Sequence, residues 1–543
     1  MALKTSTEPE IPLPAITAAP AGGTTSVIGF DPEDPDKDRW FAPDARSAVL
    51  AGNEVIPYIR SEKLYADIVA ALRTATAGEH FIFIAGWNMS DAKSHGGQGA
   101  DFQLVTGDAT TSLDALFTAA SKAGARLRVM LFKHDALSGA RDNSELVTFV
   151  SGLANGMAVL DDHVVAGMQS IGPYLAKIPG FGSHYVGAHH QKIIVVSGSE
   201  GLVAFQGGYD LDPDRISLGG GPGLHDVHTR VRGPAAKALA DAFIERWNDH
   251  PSVPTAWHLP AVPAQAALPD NKFVQVAHTF PNTAKHPLVG GGGYGFLTSG
   301  ERTVKDLLIK AIGAARKFIY VEDQYLFDMD IASALKAALP SIEKLIILIT
   351  SSGSIVGETL QPWARRKRVI DALPASYTAT PPTGGATPTP GSATYTGKVA
   401  VCQLGGQYVH AKTWIFDDRF AVIGSANLNR RGMSHDSEQA CGIFDTNAKK
   451  RWCFAHELRM NLWAKHFGKK PIDFQDPIAS SVHWFAPFGG VATYNPDGGV
   501  DPDPAGLAKL QAAFSLSKTS MWAISQIITP DVMWDTIIDP DGA

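Results

Sequence analysis

Hydrophobic positions along the chain fall into two alternating kinds of stretch. From Leu64 to Gly78 apolar residues recur at three- and four-residue spacing, and the following run from Phe81 to Trp87 is apolar almost without a break. The first pattern is that of a helix with one buried face; the second is that of a strand covered on both sides. Leu113 to Phe132 repeats the helix-then-strand order, as do Val304 to Tyr325 and Leu335 to Thr350. The alternation predicts an α/β protein. Its recurrence predicts two similar halves, each a mainly β sheet flanked by helices, facing each other across a shared site with pseudo-twofold symmetry.

Breaks in the pattern set the expected boundaries. Residues 1–45 are rich in Pro, Ala, Gly, Thr and Asp without a sustained period and read as a flexible arm, with structure beginning near Val49. The first half is placed at 46–255 and the second at 270–475, separated where Pro and Ala crowd between Pro251 and Asn271. Within the second half, 375–397 reads as a mobile Thr-, Pro- and Gly-rich loop, and 476–543 as a C-terminal extension. In that extension Leu507 to Ile528 fits an amphipathic helix packed on the body of the protein better than one lying on a membrane.

Composition narrows the class. Hydrophobic residues make up 45% of the 543 and charged residues 19%, which excludes a chain disordered throughout. Lys and Arg number 47 against 54 Asp and Glu, a net charge of -7, and no basic run forms a track for nucleic acid. Cys402, Cys441 and Cys453 make neither a disulfide framework nor a CxxC pair, and are expected to be inert thiols. No apolar run reaches the ~18 residues of a spanning helix, so membrane contact is expected to be peripheral. The first thirty residues lack a basic start followed by an apolar core. Cytoplasmic residence and export by a non-classical route both stay open.

The chemistry lies in two matched segments. His190 and Lys192 open one, and His410 and Lys412 open the other; each continues as an apolar strand, a turn, a second apolar strand and a polar, glycine-containing end. Residues two apart on a strand face the same side, so each His and its Lys can share a pocket. A single HxK arises often by chance, but two copies at corresponding places in two similar halves do not. Two imidazoles and two ammonium groups suit phosphodiester cleavage: one imidazole attacks phosphorus, while the other protonates the departing alkoxide and later deprotonates water or an alcohol. The lysines would steady the equatorial oxygens, together with Asn427, Ser425, Gly208 and Asp210 at the polar ends. This chemistry calls for no metal and no cofactor.

At these residues the chain resembles the phospholipase D superfamily, whose mark is two copies of HxKxxxxD, each followed by a glycine-containing turn. His410 to Asp417 with GSAN after it matches fully; the first copy has Ser197 where the acid belongs. His225 to Asn248 and the strand YVEDQYLF bring the likeness closer to the phospholipase D enzymes proper, over about Val55 to Gly468. The resemblance implies an α+β sandwich with the site between the halves. It gives Asp417 and Ser197 a place behind the site, and implies carboxylates that orient the imidazoles, Asp226 for His190 and Glu438 for His410. It also favours His190 as nucleophile and His410 as acid and base, though the near-symmetry of the chemistry keeps the reverse open.

A phospholipid substrate at a membrane surface, with water or alcohol as acceptor, needs apolar flanks. Phe181 and Tyr185 lie just before His190, and Tyr294 and Phe296 sit on a glycine-rich loop; Trp87 and Gln324 end strands that would line the cleft. Each set can equally be ordinary packing. The sequence therefore points to a monomeric phospholipase D acting on the distal phosphodiester. Its rivals are a phospholipase D-like nuclease, disfavoured by the acidic balance, a cardiolipin-synthase-like transferase, and an inactive membrane-binding module supported only by Ser197.

Overall fold

The Phe81–Gly86 run is uninterrupted because both faces of its strand are covered. In the computed structural model Phe81 stacks on Phe83 at 4.1 Å and Phe83 on Phe243 at 5.1 Å on one side of the sheet, while Ile82 and Ile84 enter a separate core on the other. The structure describes residues 35–44, 46–89, 102–133, 143–161, 187–216, 223–270, 272–282, 294–350, 362–373, 397–446 and 452–494.

The first half runs β1 (Val49–Tyr58), α1 (Ser61–Leu72), β2 (Phe81–Gly86), α2 (Leu113–Lys122), β3 (Arg126–Phe132), α3 (Ser144–Ser151), β4 (Gly156–Asp161), β5 (Ile193–Gly198), β6 (Gly201–Gly207), β7 (His228–Arg232) and α4 (Pro234–Asp249). The second runs β8 (Lys272–Phe280), β9 (Glu301–Arg302), α5 (Thr303–Ala314), β10 (Phe318–Asp323), α6 (Met329–Ala338), β11 (Lys344–Ile349), α7 (Pro362–Ala372), β12 (Val399–Leu404), β13 (Thr413–Phe416), β14 (Phe420–Gly424), β15 (Glu438–Asp445), α8 (Phe454–Phe467) and β16 (Val491–Thr493). Apart from β9 and β16, each of these elements in the second half answers one in the first. Local signals set their ends: the Ser112 hydroxyl accepts from the Ala115 N–H to start α2, and Gly468, at φ 61°, ends α8.

All of these strands belong to one sheet, ordered β16-β12-β11-β10-β13-β14-β15-β8-β1-β7-β6-β5-β2-β3-β4, with β9 beside β8. Without β9 and β16 the order is symmetric about the antiparallel β1–β8 pair. The two half-sheets are thus joined edge to edge at that seam. The register slips between Leu50 and Asn53, where Gly52 has φ 75° and a Cβ would come within 2.5 Å of Ala267. Helices α4 and α8 cover one face in a core that takes residues from both halves; α1 and α2 cover the other face in the first half, α5 and α6 in the second.

Order begins earlier than the polar composition of the arm suggested. A 3-10 turn at Pro35–Arg39 leads into Trp40 and Phe41, both buried, with Trp40 stacked 5.7 Å from Phe420 and Phe41 edge-on to it at 5.1 Å. Two adjacent aromatics have no period for pattern reading to detect. The stretches 375–396 and Leu507–Ile528 lie outside the described residues, and among those described no helix is long and apolar enough to cross a membrane.

Candidate active site

Each HxK segment lies just before a central strand, β5 or β13, and its backbone is held by the opposite half. The His190 N–H donates to Ser437 O at 3.0 Å and the Ser437 N–H to Ala188 O at 2.9 Å; the His225 N–H donates to Tyr408 O and the His410 N–H to His225 O, both at 2.8 Å. These parallel bridges lay the residues before β15 along the first motif and those before β7 along the second. They fix which carboxylate each imidazole meets. His190 Nδ1 lies 2.8 Å from Glu438 Oε1, and His410 Nδ1 lies 2.6 Å from Asp226 Oδ2.

The pairing is therefore crossed, reversing the same-half assignment of Asp226 to His190 and Glu438 to His410. The reason is topological. β7 and β15 each lie one strand from the seam, so their leading residues project into the other half, which chain order alone does not reveal. Asp226 is hydrogen-bonded to His410 Nδ1, whereas His190 Nδ1 is bonded to Ser425 O at 3.1 Å with Glu438 Oε1 close beside it; in both rings Nδ1 is taken, which directs the chemistry to Nε2. Burial and nearby cations, Lys192 and Lys412 for both rings, hold the imidazoles well below their usual pKa and so neutral. Burial pushes Asp226 up to about 7 and brings Lys412 down to about 8.

Both lysines are buried and braced. Lys192 Nζ donates to His190 O at 3.1 Å and lies 3.3 Å from Asp210; Lys412 Nζ donates to His410 O and, at 3.2 Å, to Gln324 Oε1. Gln324 in turn donates to the Tyr408 hydroxyl at 2.7 Å. Trp87 stands with its ring 6.4 Å from that of His190, and Tyr408 6.3 Å from His410, so an aromatic flanks each imidazole.

The family model described as "Phospholipase D" matches residues 385–483. Phospholipase D alpha 1 of Cynara cardunculus is 25% identical over 560 residues, covering 79% of this chain and 66% of its own length. These likenesses support membership of the phospholipase D superfamily. Another relative is cardiolipin synthase 1 of Staphylococcus epidermidis, 25% identical over 315 residues and covering 56% of this chain and 55% of its own. The chain thus spans just under two thirds of the plant relative it matches. Among solved structures, phosphatidylserine synthase of Haemophilus influenzae shares the fold at TM-score 0.51 and 13% identity, over 88% of this chain and 95% of its own.

Several residues offered by the superfamily pattern do other work here. Asp417 does not lie behind the site. It occupies the far end of β13, five residues and about 17 Å from Lys412, where its carboxylate accepts the N–H groups of Arg316, Lys317 and Phe318 at 2.7, 2.7 and 2.8 Å. Ser197 sits at the corresponding end of β5, where the Ser199 N–H bonds Thr74 O instead, so the missing acid removes a structural anchor rather than a reacting group.

Of the groups assigned to phosphate, Asp210 accepts the N–H groups of Trp87 and Asn88 and holds Lys192 and Arg215; a carboxylate committed in this way repels rather than binds phosphate. The Gly208 N–H bonds Val227 O, and a Cβ there would lie 2.0 Å from Asp226 Oδ1, so the glycine makes room for that carboxylate. Ser425 donates its hydroxyl to Glu438 Oε2 at 2.5 Å, while its carbonyl lies 3.1 Å from His190 Nδ1, making it a positioning residue. Asn427 is buried with its side-chain oxygen unpaired. Of the loop aromatics, Tyr294 is core, 1% exposed and bonded to Arg246; Phe181 and Tyr185 lie outside the described residues.

Sequence reading missed the cations Arg215 and Arg431, which act on His410 and His190 respectively. It also missed a fully buried set, His225, Glu322 and His466, whose candidate ligand atoms lie within 4.8 Å of one another. HDVH and EDQY hint at it, but their meeting across the halves is not visible in one dimension.

Proposed function

We propose that the chain is a phospholipase D, hydrolysing the distal phosphodiester of glycerophospholipids through a phospho-histidine. The observation that carries the reading is the crossed pair of imidazoles, each with Nδ1 within 2.8 Å of a buried carboxylate of the opposite half and each beside a buried lysine. His190 Nε2 attacks phosphorus and the P–O bond to the headgroup breaks, while the His410–Asp226 pair, which carries one proton beyond a neutral ring and a free carboxylate because Asp226 is raised to about 7, passes that proton from His410 Nε2 to the departing alkoxide. His410 then takes a proton from water, whose oxygen displaces His190 from phosphorus and releases phosphatidate. An ammonium has three donors, and with two partners each Lys192 and Lys412 keep one for the non-bridging oxygens.

Headgroup release from phosphatidylcholine vesicles tests the reading. His190→Ala and His410→Ala should each lower turnover by about a thousandfold, with an acid-labile phosphoryl adduct trapped on the wild type. Equal turnover by all three proteins defeats the proposal. The likeness to cardiolipin synthase supports a second outcome of the same intermediate, transfer to an alcohol in place of water. Product identification with glycerol or a second lipid present separates the two.

A further inference from the structure

Directly behind one of the two dyads lies a closed group of charges and imidazoles that the reaction does not use. Glu322, at the end of β10, is fully buried; its Oε2 meets His225 Nε2 at 2.8 Å, and its Oε1 meets His466 Nε2 at 2.7 Å and the Tyr320 hydroxyl at 2.6 Å. Lys465, on α8, closes the group. Its Nζ lies 2.7 Å from His225 Nδ1 and donates to Ile59 O at 2.8 Å, just past β1.

Two imidazoles and a carboxylate at this spacing resemble the donor set of a transition-metal site. The ammonium argues for a different use. A Lys465 proton directed at Nδ1 leaves the His225 proton on Nε2, where it points at Glu322, so the ring has no lone pair turned toward an ion. The ammonium also balances the carboxylate, leaving the group neutral overall.

What the group holds is His225, and His225 holds the site. Its N–H and C=O are the two backbone bonds that fix Tyr408 and His410, and the next residue, Asp226, carries the carboxylate on His410 Nδ1. Its contacts join Ile59 and His225 of the first half to Glu322, Lys465 and His466 of the second. The other dyad has a counterpart. Arg246 on α4 pairs with Asp161, lies 2.9 Å from His189 Nδ1 and donates to Gln191 Oε1 at 2.6 Å, while Gln191 donates to Glu438 O at 3.1 Å.

We propose that Lys465, His466 and Glu322 are positioning residues for the His410–Asp226 pair, a metal-free clamp that sets the imidazole of the general acid and base by locking His225 across the two halves. The inference rests on the phosphodiesterase reading for its kinetic test alone. Lys465→Met should lower kcat at least tenfold with KM nearly unchanged and displace the pH profile of kcat. His466→Gln, which restores a donor near Nε2, should keep kcat within about threefold of wild type, whereas His466→Leu should behave like Lys465→Met.

Should Lys465→Met fail to fold, Lys465→Met with Glu322→Gln removes both charges together and must show the same split between kcat and KM. Histidine-selective NMR needs no turnover: the Nδ1 proton of His410, protected from exchange in the wild type, should exchange rapidly in Lys465→Met even if no lipid proves to be a substrate. An unchanged kcat, or a protected His410 proton in that variant, overturns the proposal. So does one zinc or manganese ion per chain, bound by the wild type and lost in His466→Leu.

Discussion

At the scale of single residues the site is a balance between burial and cations. Lys412 is buried beside two carboxylates, Asp226 and Asp323, yet burial outweighs them and brings it down to about 8. Its charge is thus present at neutral pH and lost as pH rises through that value. We expect KM for phospholipid to rise on the alkaline side of about pH 8. Lys412→Arg, which cannot lose its proton, should abolish that limb while lowering kcat through the changed shape of the donor. An alkaline limb unchanged in the arginine variant would assign it to another group. The HxK residues were legible because a strand's two-residue repeat puts His and Lys on one side. Their carboxylates were legible as residues but not as partners, since whether Asp226 reaches His190 or His410 depends on which strand lies at the seam.

Elements decide what the rest of the motif does. The β13–β14 turn carries Asp417 and Asp418 at φ 53° and 58°, the left-handed pair of a tight hairpin, and Asp417 ties that turn to the start of β10 through three N–H groups. Asp417→Ala removes a buried acceptor from three donors and places a Cβ-bearing residue with no local hydrogen bond in the left-handed region. It should cost about 2–4 kcal/mol of stability and leave kcat per folded molecule unchanged, as denaturant titration and turnover on one preparation would show. A loss of kcat without loss of stability would return Asp417 to the site. Alternating helices and strands were readable from the spacing of apolar residues. Trp40 and Phe41 were not, because an adjacent pair of aromatics in a polar stretch gains its meaning only from the Phe420 surface it meets.

Over the whole molecule, the buried histidines govern the response to acid. Burial holds His189 down to about 4 and His225 and His228 down to about 3, against about 6.5 in an unfolded chain. Each depressed value contributes stability that is present above the unfolded pKa and lost as pH falls toward the folded one. Raised carboxylates, Asp226 at about 7, Asp323 at about 6 and Glu438 among them, act in the opposite sense, but the depressed side also includes His190 and His410, held well below 6.5, and Glu301 at about 2, and outweighs them. The melting temperature should therefore fall steadily between pH 6.5 and about 4.5; a flat profile would mean that these rings are not neutral in the fold. The duplicated architecture was visible in the repeated motifs, whereas the joining of both half-sheets at β1 and β8 was not, since edge pairing leaves no periodic trace. That joining has a consequence during synthesis. The first motif leaves the ribosome well before residues 437–438, which its backbone and ring require, so a nascent chain carries a complete histidine and lysine whose site stays unassembled until the later strands arrive.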